Sequence, residues 1–263
     1  EVVMEKSTVI GLIIGIIAIS TGLVFKGASL TVLINPAAAM IIFAGTIACL
    51  FNAFPMRDLK RFPELVKLLF RPPQLMPKEK LLKTFVELSQ IARREGILAL
   101  ENRIGDIEDP FLRNGLSMVI DGLDPEFVSD VLDAEIQSMQ ERHQTGALIF
   151  TQAGTYAPTL GVLGAVIGLV AALGNLQDIE VLGQSIAAAF IATLFGIFTG
   201  YVIWHPFANK LKLLSKQEIE LRQMMIEGIL SIQAGDSPTA LEAKLMVFIP
   251  QSERKAVRTR PEV

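Results

Sequence analysis

The four longest apolar runs of this chain contain no Asp, Glu, Lys, Arg or His. Membrane proteins that move ions usually place such a group at depth, where it stands in for water. Its absence leaves two possibilities: the chain conducts nothing, or the titrating group comes from a partner subunit. Cysteine is nearly absent too. Cys49 is the only one, which excludes a disulfide framework and a cysteine metal site. His143 and His205 are the only histidines, too few for a histidine-based metal centre, so no metal and no cofactor are expected. No Lys/Arg cluster interleaved with aromatics suggests a nucleic-acid surface. No phosphate loop, dinucleotide fingerprint or hydrolase elbow is present, so an enzyme is not expected.

What remains is apolar. Hydrophobic residues make up 51% of the 263 and charged ones 19%, a balance that indicates a membrane protein. About 20 apolar residues cross a bilayer. Four runs qualify: 8–25, 33–54, 147–173 and 183–204. A signal-peptide reading of the first fails because a second apolar run continues through Pro36–Met40. The turn Lys26–Val32 has one basic residue and the turn Gly174–Leu182 has none. The segment 55–146 has thirteen and the tail from His205 has nine. Basic residues favour the cytoplasm, so both termini and both long polar parts are expected there, with only two tight turns outside.

The polar parts read as helical. Asn35-Pro36 and Asp124-Pro125 look like N-caps followed by proline at the first helical position, and Ser237-Pro238 starts a further short helix. From Asp124 nothing stops the helix firmly before Gly174. The expected fold is all-α: four transmembrane helices, the last two extended into a helical cytoplasmic domain. The expected segments are a cytoplasmic domain over 55–146, C-terminal helices over 205–250 and a disordered basic tail over 251–263.

Residues 150–173, FTQAGTYAPTLGVLGAVIGLVAAL, are unusual for a span. Thr155, Tyr156 and Pro158 cluster at one end, and Gly161, Gly164 and Gly168 follow at steps of three and four. Thr193 lies near the middle of the next span. Two readings stand for Thr155 and Thr193: each bonds back to its own helix at i−4, or both face one polar seam. Pro158 frees a carbonyl either way. The glycines offer a smooth face on which a helix packs or slides, packing being the commoner use. Gly11 and Gly15 offer another such face on the first span.

TQAGTYAPTLGVLGAVIGLVAAL and LGQSIAAAFIATLFGIFTGYVIWHPFANKLK resemble the A-type stator subunit of the bacterial flagellar motor, in the superfamily that also holds the envelope-energising ExbB/TolQ proteins. NPAAAMIIFAGTI, ARREGILALE and DPFLRNGLSMVIDG resemble the same family. The resemblance implies a homo-oligomer, a ring of five, in the bacterial cytoplasmic membrane. The ring surrounds helices of B-type subunits that supply the missing aspartate, and ion flow turns it against the rotor's switch-complex protein.

By position, the resemblance puts Thr155, Tyr156, Pro158, Ala165 and Thr193 on the ion path, and Pro158 and Pro206 in conformational gating. It assigns rotor contact to Arg93 and Glu101, with Arg94 as the next candidate. Eight residues on one helix amount to about 80° of rotation, which would put Arg93 and Glu101 on one groove face. Without the resemblance these charges would read as a solvated helix face. Sodium-type relatives tend to carry Thr where this chain has Ala165. A methyl offers Na⁺ no oxygen ligand, so protons are expected. The rival readings are an ExbB/TolQ-like energising subunit and a passive membrane scaffold.

Overall fold

The structure, a computed structural model, describes residues 6–174 and 176–258. Among these every regular element is helical. The chain divides into two compact units, one holding the described residues up to Pro73 together with Arg142–Leu214, the other Gln74–Glu141 and the described residues from Ser215 on. Four helices are long and apolar enough to cross a membrane, and the all-α expectation holds.

In the first unit α1 (Lys6–Phe25) is apolar on all sides, so Ile10, Ile13, Ile14 and Ile17 all stay exposed on the chain. Such an all-round apolar helix is what a lipid-facing span requires. The second span starts at α2 (Pro36–Ala39), where Asn35 Oδ1 accepts from the Ala38 amide at 3.0 Å. It widens into a π-helical turn over Met40–Ala44 and resumes as α3 (Gly45–Ala53). Pro55 ends it, and α4 (Met56–Leu59) and α5 (Phe62–Phe70) follow.

α5 buries Leu65 and Leu69 among the spans, and Gly146 lets Leu65 approach: a Cβ there would lie 3.0 Å from it. Phe62 stacks on the fully buried Phe150 at 5.1 Å, with Trp204 and Phe207 completing the cluster. The boundary expected at residue 55 therefore lies at Pro73. Residues 56–70 fold with the spans because their apolar side chains find aromatic partners there.

In the second unit α6 (Lys78–Glu95) is amphipathic and buries Leu81, Leu82, Phe85 and Leu88. Gly96, at φ 89°, breaks it; a residue with a Cβ would be strained there. A 3₁₀ turn (Ile97–Leu100), α7 (Glu101–Ile104) and α8 (Pro110–Ile120) follow, α8 being capped by Asp109. α9 (Pro125–Leu173) begins in this unit and continues into the first; Asp124 accepts from the Glu126 amide at 3.0 Å at its start.

α10 (Ile179–Phe198), a π-helical turn (Thr199–Trp204) and α11 (His205–Gln233) make one continuous helix from the fourth span back into the second unit. Phe85 packs flat against Gly228, where a Cβ would lie 2.5 Å from its ring. Arg222 sits 4.8 Å above the Phe111 ring and pairs with Glu218 at 2.9 Å.

At the end of α11 Gly235 is left-handed, and the amides of Gly235 and Asp236 bond back to Ile232 and Ser231, a Schellman cap. α12 (Pro238–Leu245), capped by Ser237, sends Lys244 to Asp236 at 2.9 Å. Hydrogen bonds from Ser231 and Lys244 hold the Asp236 carboxyl below the usual carboxylate range, and Asp236 in turn raises the Lys244 ammonium. Within the stretch expected to be a disordered tail, α13 (Gln251–Arg258) is helical; residues 259–263 lie outside the described ones.

Candidate functional site

Three threonines one turn apart run along α9. Thr151, Thr155 and Thr159 donate to the carbonyls of Ala147, Thr151 and Thr155 at 3.1, 3.1 and 3.2 Å. Each hydroxyl's proton is thus committed to its own helix, while its lone pairs stay available outward. Thr155 and Thr159 are exposed, and their stripe continues as the exposed Val162, Val166 and Val170. For Thr155 the back-bonding reading is right, and it is compatible with an outward-facing polar stripe.

Thr193 behaves differently. Its hydroxyl crosses to α9 and meets the Gly161 carbonyl at 3.5 Å. Gly161 lies six residues beyond Thr155, ~9 Å along the axis. Ala165, half-buried, is one turn along α9 from the Gly161 that Thr193 meets. Tyr156 is not brought to this place. One residue from Thr155 means about 100° around the helix, and Tyr156 packs instead against the aromatic cluster of Phe150 and Trp204.

The glycines of α9 serve packing within the chain. A Cβ on Gly161 would lie 2.9 Å from the Ala192 carbonyl, one on Gly164 2.9 Å from the Ala192 methyl, and one on Gly168 2.8 Å from Ala189. From the other side, a Cβ on Gly196 would lie 2.6 Å from the Ala157 carbonyl and 2.9 Å from the Gly161 Cα. α9 and α10 touch backbone to backbone, and the smooth face is already filled by α10.

Pro158 rests on a glycine pair. Pro158 has no N–H for the Gly154 carbonyl. That carbonyl and the Pro158 ring both lie against Gly200, where a Cβ would meet them at 2.8 and 2.7 Å. Gly200 belongs to the π-turn that ends just before Pro206. A proline ring clashes with the carbonyl four residues back, and widening the turn relieves the clash. Pro206 thus shapes the turn on which Pro158 rests. His205, at 5.3 Å from the Tyr201 ring, lies against Gly154.

The charged candidates are placed differently from the helical expectation. Arg93 and Arg94 end α6, and Glu101 begins α7 beyond the left-handed Gly96. The 80° relation therefore does not apply: the helix is interrupted between Arg93 and Glu101. All three are exposed. Arg93 borders a cleft of about 320 Å³ with Ser89, Gly96, Ile97, Ile232 and Asp236, and Glu101 does not line it.

Sequence reasoning missed the π-turn, Gly200 and the helix break. The break carried a signal: two arginines in the last turn, with glycine two residues after the second, are a usual C-terminal stop of a helix. Pro206 was the only mark of the π-turn.

Comparison with known proteins agrees along the chain. The family model described as "MotA/TolQ/ExbB proton channel family" matches residues 103–224, and that described as "Motility protein A N-terminal" matches residues 9–96. Motility protein A of Bacillus subtilis is 54% identical over 251 residues, 95% of this chain and 93% of that one. The chemotaxis protein PomA of Vibrio alginolyticus is 30% identical over 95% of this chain and 98% of that one. Among solved structures, the flagellar MotAB stator complex of Bacillus subtilis matches at a TM-score of 0.91 and 53% identity, over 96% of this chain and 99% of that one. The MotAB structure of C. jejuni matches at a TM-score of 0.89 and 29% identity, over 94% and 97%. With four helices long and apolar enough to cross a membrane and this likeness over nearly its whole length, the chain belongs to the motility protein A family, the A-type stator subunits of the bacterial flagellar motor.

Proposed function

We propose that this chain forms a ring of five copies around B-type subunits in the bacterial inner membrane, with both termini in the cytoplasm. Protons cross along the exposed Thr155–Thr159 stripe and past Thr193 on a carboxylate that the B-type helix supplies. The observation that carries this reading is a stripe of hydroxyls on α9, outward-facing and without an ionisable group, that continues as bare valines. Such a surface hydrates an ion but does not hold a proton, so it is complete only against a second chain. The names of the solved relatives, MotAB stator complexes, supply the kind of second chain. Ala165, one turn along α9 from the Gly161 that Thr193 meets, favours protons, since a methyl gives a hard cation no ligand.

Proteoliposomes holding this chain with its B-type partner are expected to dissipate a pH gradient and to ignore a sodium gradient. Liposomes with this chain alone are expected to do neither. Thr193→Val should slow the flux about tenfold, the worth of one hydrogen bond near 1.4 kcal/mol. Conduction by the chain alone, or flux that follows sodium, sinks the reading, and a complex that assembles but never conducts makes it a scaffold.

Rotor contact falls to Arg93 and Glu101, with Arg94 beside them. Neither Arg93 nor Glu101 forms an ion pair with a described residue, and both are exposed, so their charge faces outward. Arg93→Glu and Glu101→Lys should each reduce swimming while the complex still assembles at wild-type yield. Normal swimming of the double variant removes both from the contact.

A further inference from the structure

His205 directly follows the fourth apolar run, and the ion path described above makes no use of it. It lies against α9 within the first unit. A Cβ on Gly154 would lie 2.8 Å from its Cδ2 and 2.9 Å from its Nε2. Glycine at 154 therefore admits the ring, and Nε2 is held on the α9 side. Tyr201 stacks beside it, 5.3 Å between ring centroids. The imidazole is half-buried, and neither nitrogen has a hydrogen-bond partner among the described residues.

Along α9 this place is the inner end of the hydroxyl stripe. Gly154 precedes Thr155 by one residue and follows Thr151 by three, so the ring stands ~60° round the helix from Thr151. Thr151 and Thr155 give their protons to carbonyls of their own helix, which leaves them acceptors outward. Such a row orders water, but no group in it takes a proton away. The imidazole can. Beyond it Asn209 and Lys212 follow at steps of four and three, both exposed, on the same face of α11. Few titratable or charged groups surround the ring. The π-turn contributes Tyr201. α9 contributes Tyr156, turned into the aromatic cluster, and otherwise no ionisable group nearer than His143, eleven residues or ~16 Å from Gly154. On its own helix Lys210 is bonded across to Ser7 and Thr8, and Lys212 lies seven residues on.

We propose that His205 takes the proton from the path and delivers it to the cytoplasm. The inference rests on the reading above, in which a carboxylic acid of the B-type helix passes Thr193 and Thr155 and this end of the spans faces the cytoplasm. In the step, a lone pair of an imidazole nitrogen takes the acid's proton, directly or through one water at the Thr155 stripe. The acid's O–H bond breaks, leaving a carboxylate and an imidazolium. The imidazolium gives an N–H proton to bulk water on the Asn209 side and is neutral again. Imidazole suits the task because the neutral ring carries both a lone pair and an N–H.

The test is proton flux in proteoliposomes of this chain with its B-type partner, for the wild type, His205→Phe and His205→Ala. Phenylalanine keeps a ring beside Tyr201 and removes the proton acceptor. His205→Phe should assemble at wild-type yield and slow the flux about a hundredfold, the lower end of what a positioned acid–base group contributes. His205→Ala should slow it alike. Millimolar imidazole in the buffer should then restore the flux of His205→Ala above the background seen with His205→Phe, whose ring fills the place. Wild-type flux in His205→Phe overturns the proposal and leaves the ion path standing. So does a loss in His205→Ala that imidazole does not restore. Failure of both variants to assemble assigns the ring to packing and overturns it equally. A wild-type complex that conducts no protons overturns the reading beneath it, and the proposal with it.

Discussion

Valine at Gly196 is expected to abolish assembly of the stator complex and swimming with it, while valine at Gly22 leaves both near wild type. The two glycines are chemically alike and both sit in apolar spans. They differ in what a side chain would meet. A Cβ on Gly196 would lie 2.6 Å from the Ala157 carbonyl and 2.9 Å from the Gly161 Cα, and nothing lies within 4 Å of one on Gly22.

The obstacles at Gly196 are backbone atoms of α9, which cannot change rotamer out of the way. α9 and α10 would have to separate. Overpacking of this kind costs about 1–3 kcal/mol for a few added methyls, out of roughly 5–15 kcal/mol for a typical fold. Separation would also break the Thr193–Gly161 contact, already at 3.5 Å. The measurements are size-exclusion yield and thermal unfolding of the purified complex, beside swimming speed. Wild-type yield with Gly196→Val would mean that the backbone contact between α9 and α10 is not required.

Pro158→Ala is expected to separate function from stability. Alanine brings the N–H that proline lacks, so the Gly154 carbonyl gains its intrahelical partner, worth about 1 kcal/mol net. Helix propensity favours alanine as well, by about 3 kcal/mol in a regular helix interior. Against these stands the loss of the ring that rests on Gly200. The complex should therefore assemble and unfold no earlier than wild type. Its proton flux and swimming should nevertheless fall by about tenfold or more, because the ring that rests on the π-turn at Gly200 is gone. Normal swimming would remove Pro158 from the gating role. Failure to assemble would assign it to packing instead.

Much of the architecture was legible in local signals. Apolar runs of about 20 residues without charge can only be buried or face lipid, so the four spans followed from counting. The caps at Asn35, Asp124 and Ser237 were legible because a short acceptor before proline satisfies orphan amides wherever it occurs. The polar stripe of Thr155 was visible too, since i and i+4 share a face in any helix. The Gly96 break was legible in principle, and overlooking it produced the wrong geometry for Arg93 and Glu101.

The remainder depended on partners far along the chain. Residues 56–70 read as a soluble helical stretch, and only the positions of Phe150, Trp204 and Ala208 draw them among the spans. Which reading of the α9 glycines is right depends on Ala189, Ala192 and Gly196 lying opposite them. The Gly154–Gly200 contact on which Pro158 rests links positions 46 residues apart and has no local sign. By itself the sequence determined the four spans, the caps at Asn35, Asp124 and Ser237 and the lack of an ionisable group in the spans, because each depends on a residue and its near neighbours. Only the tertiary structure decided which face meets which helix, because that depends on side-chain volumes matched across distant segments.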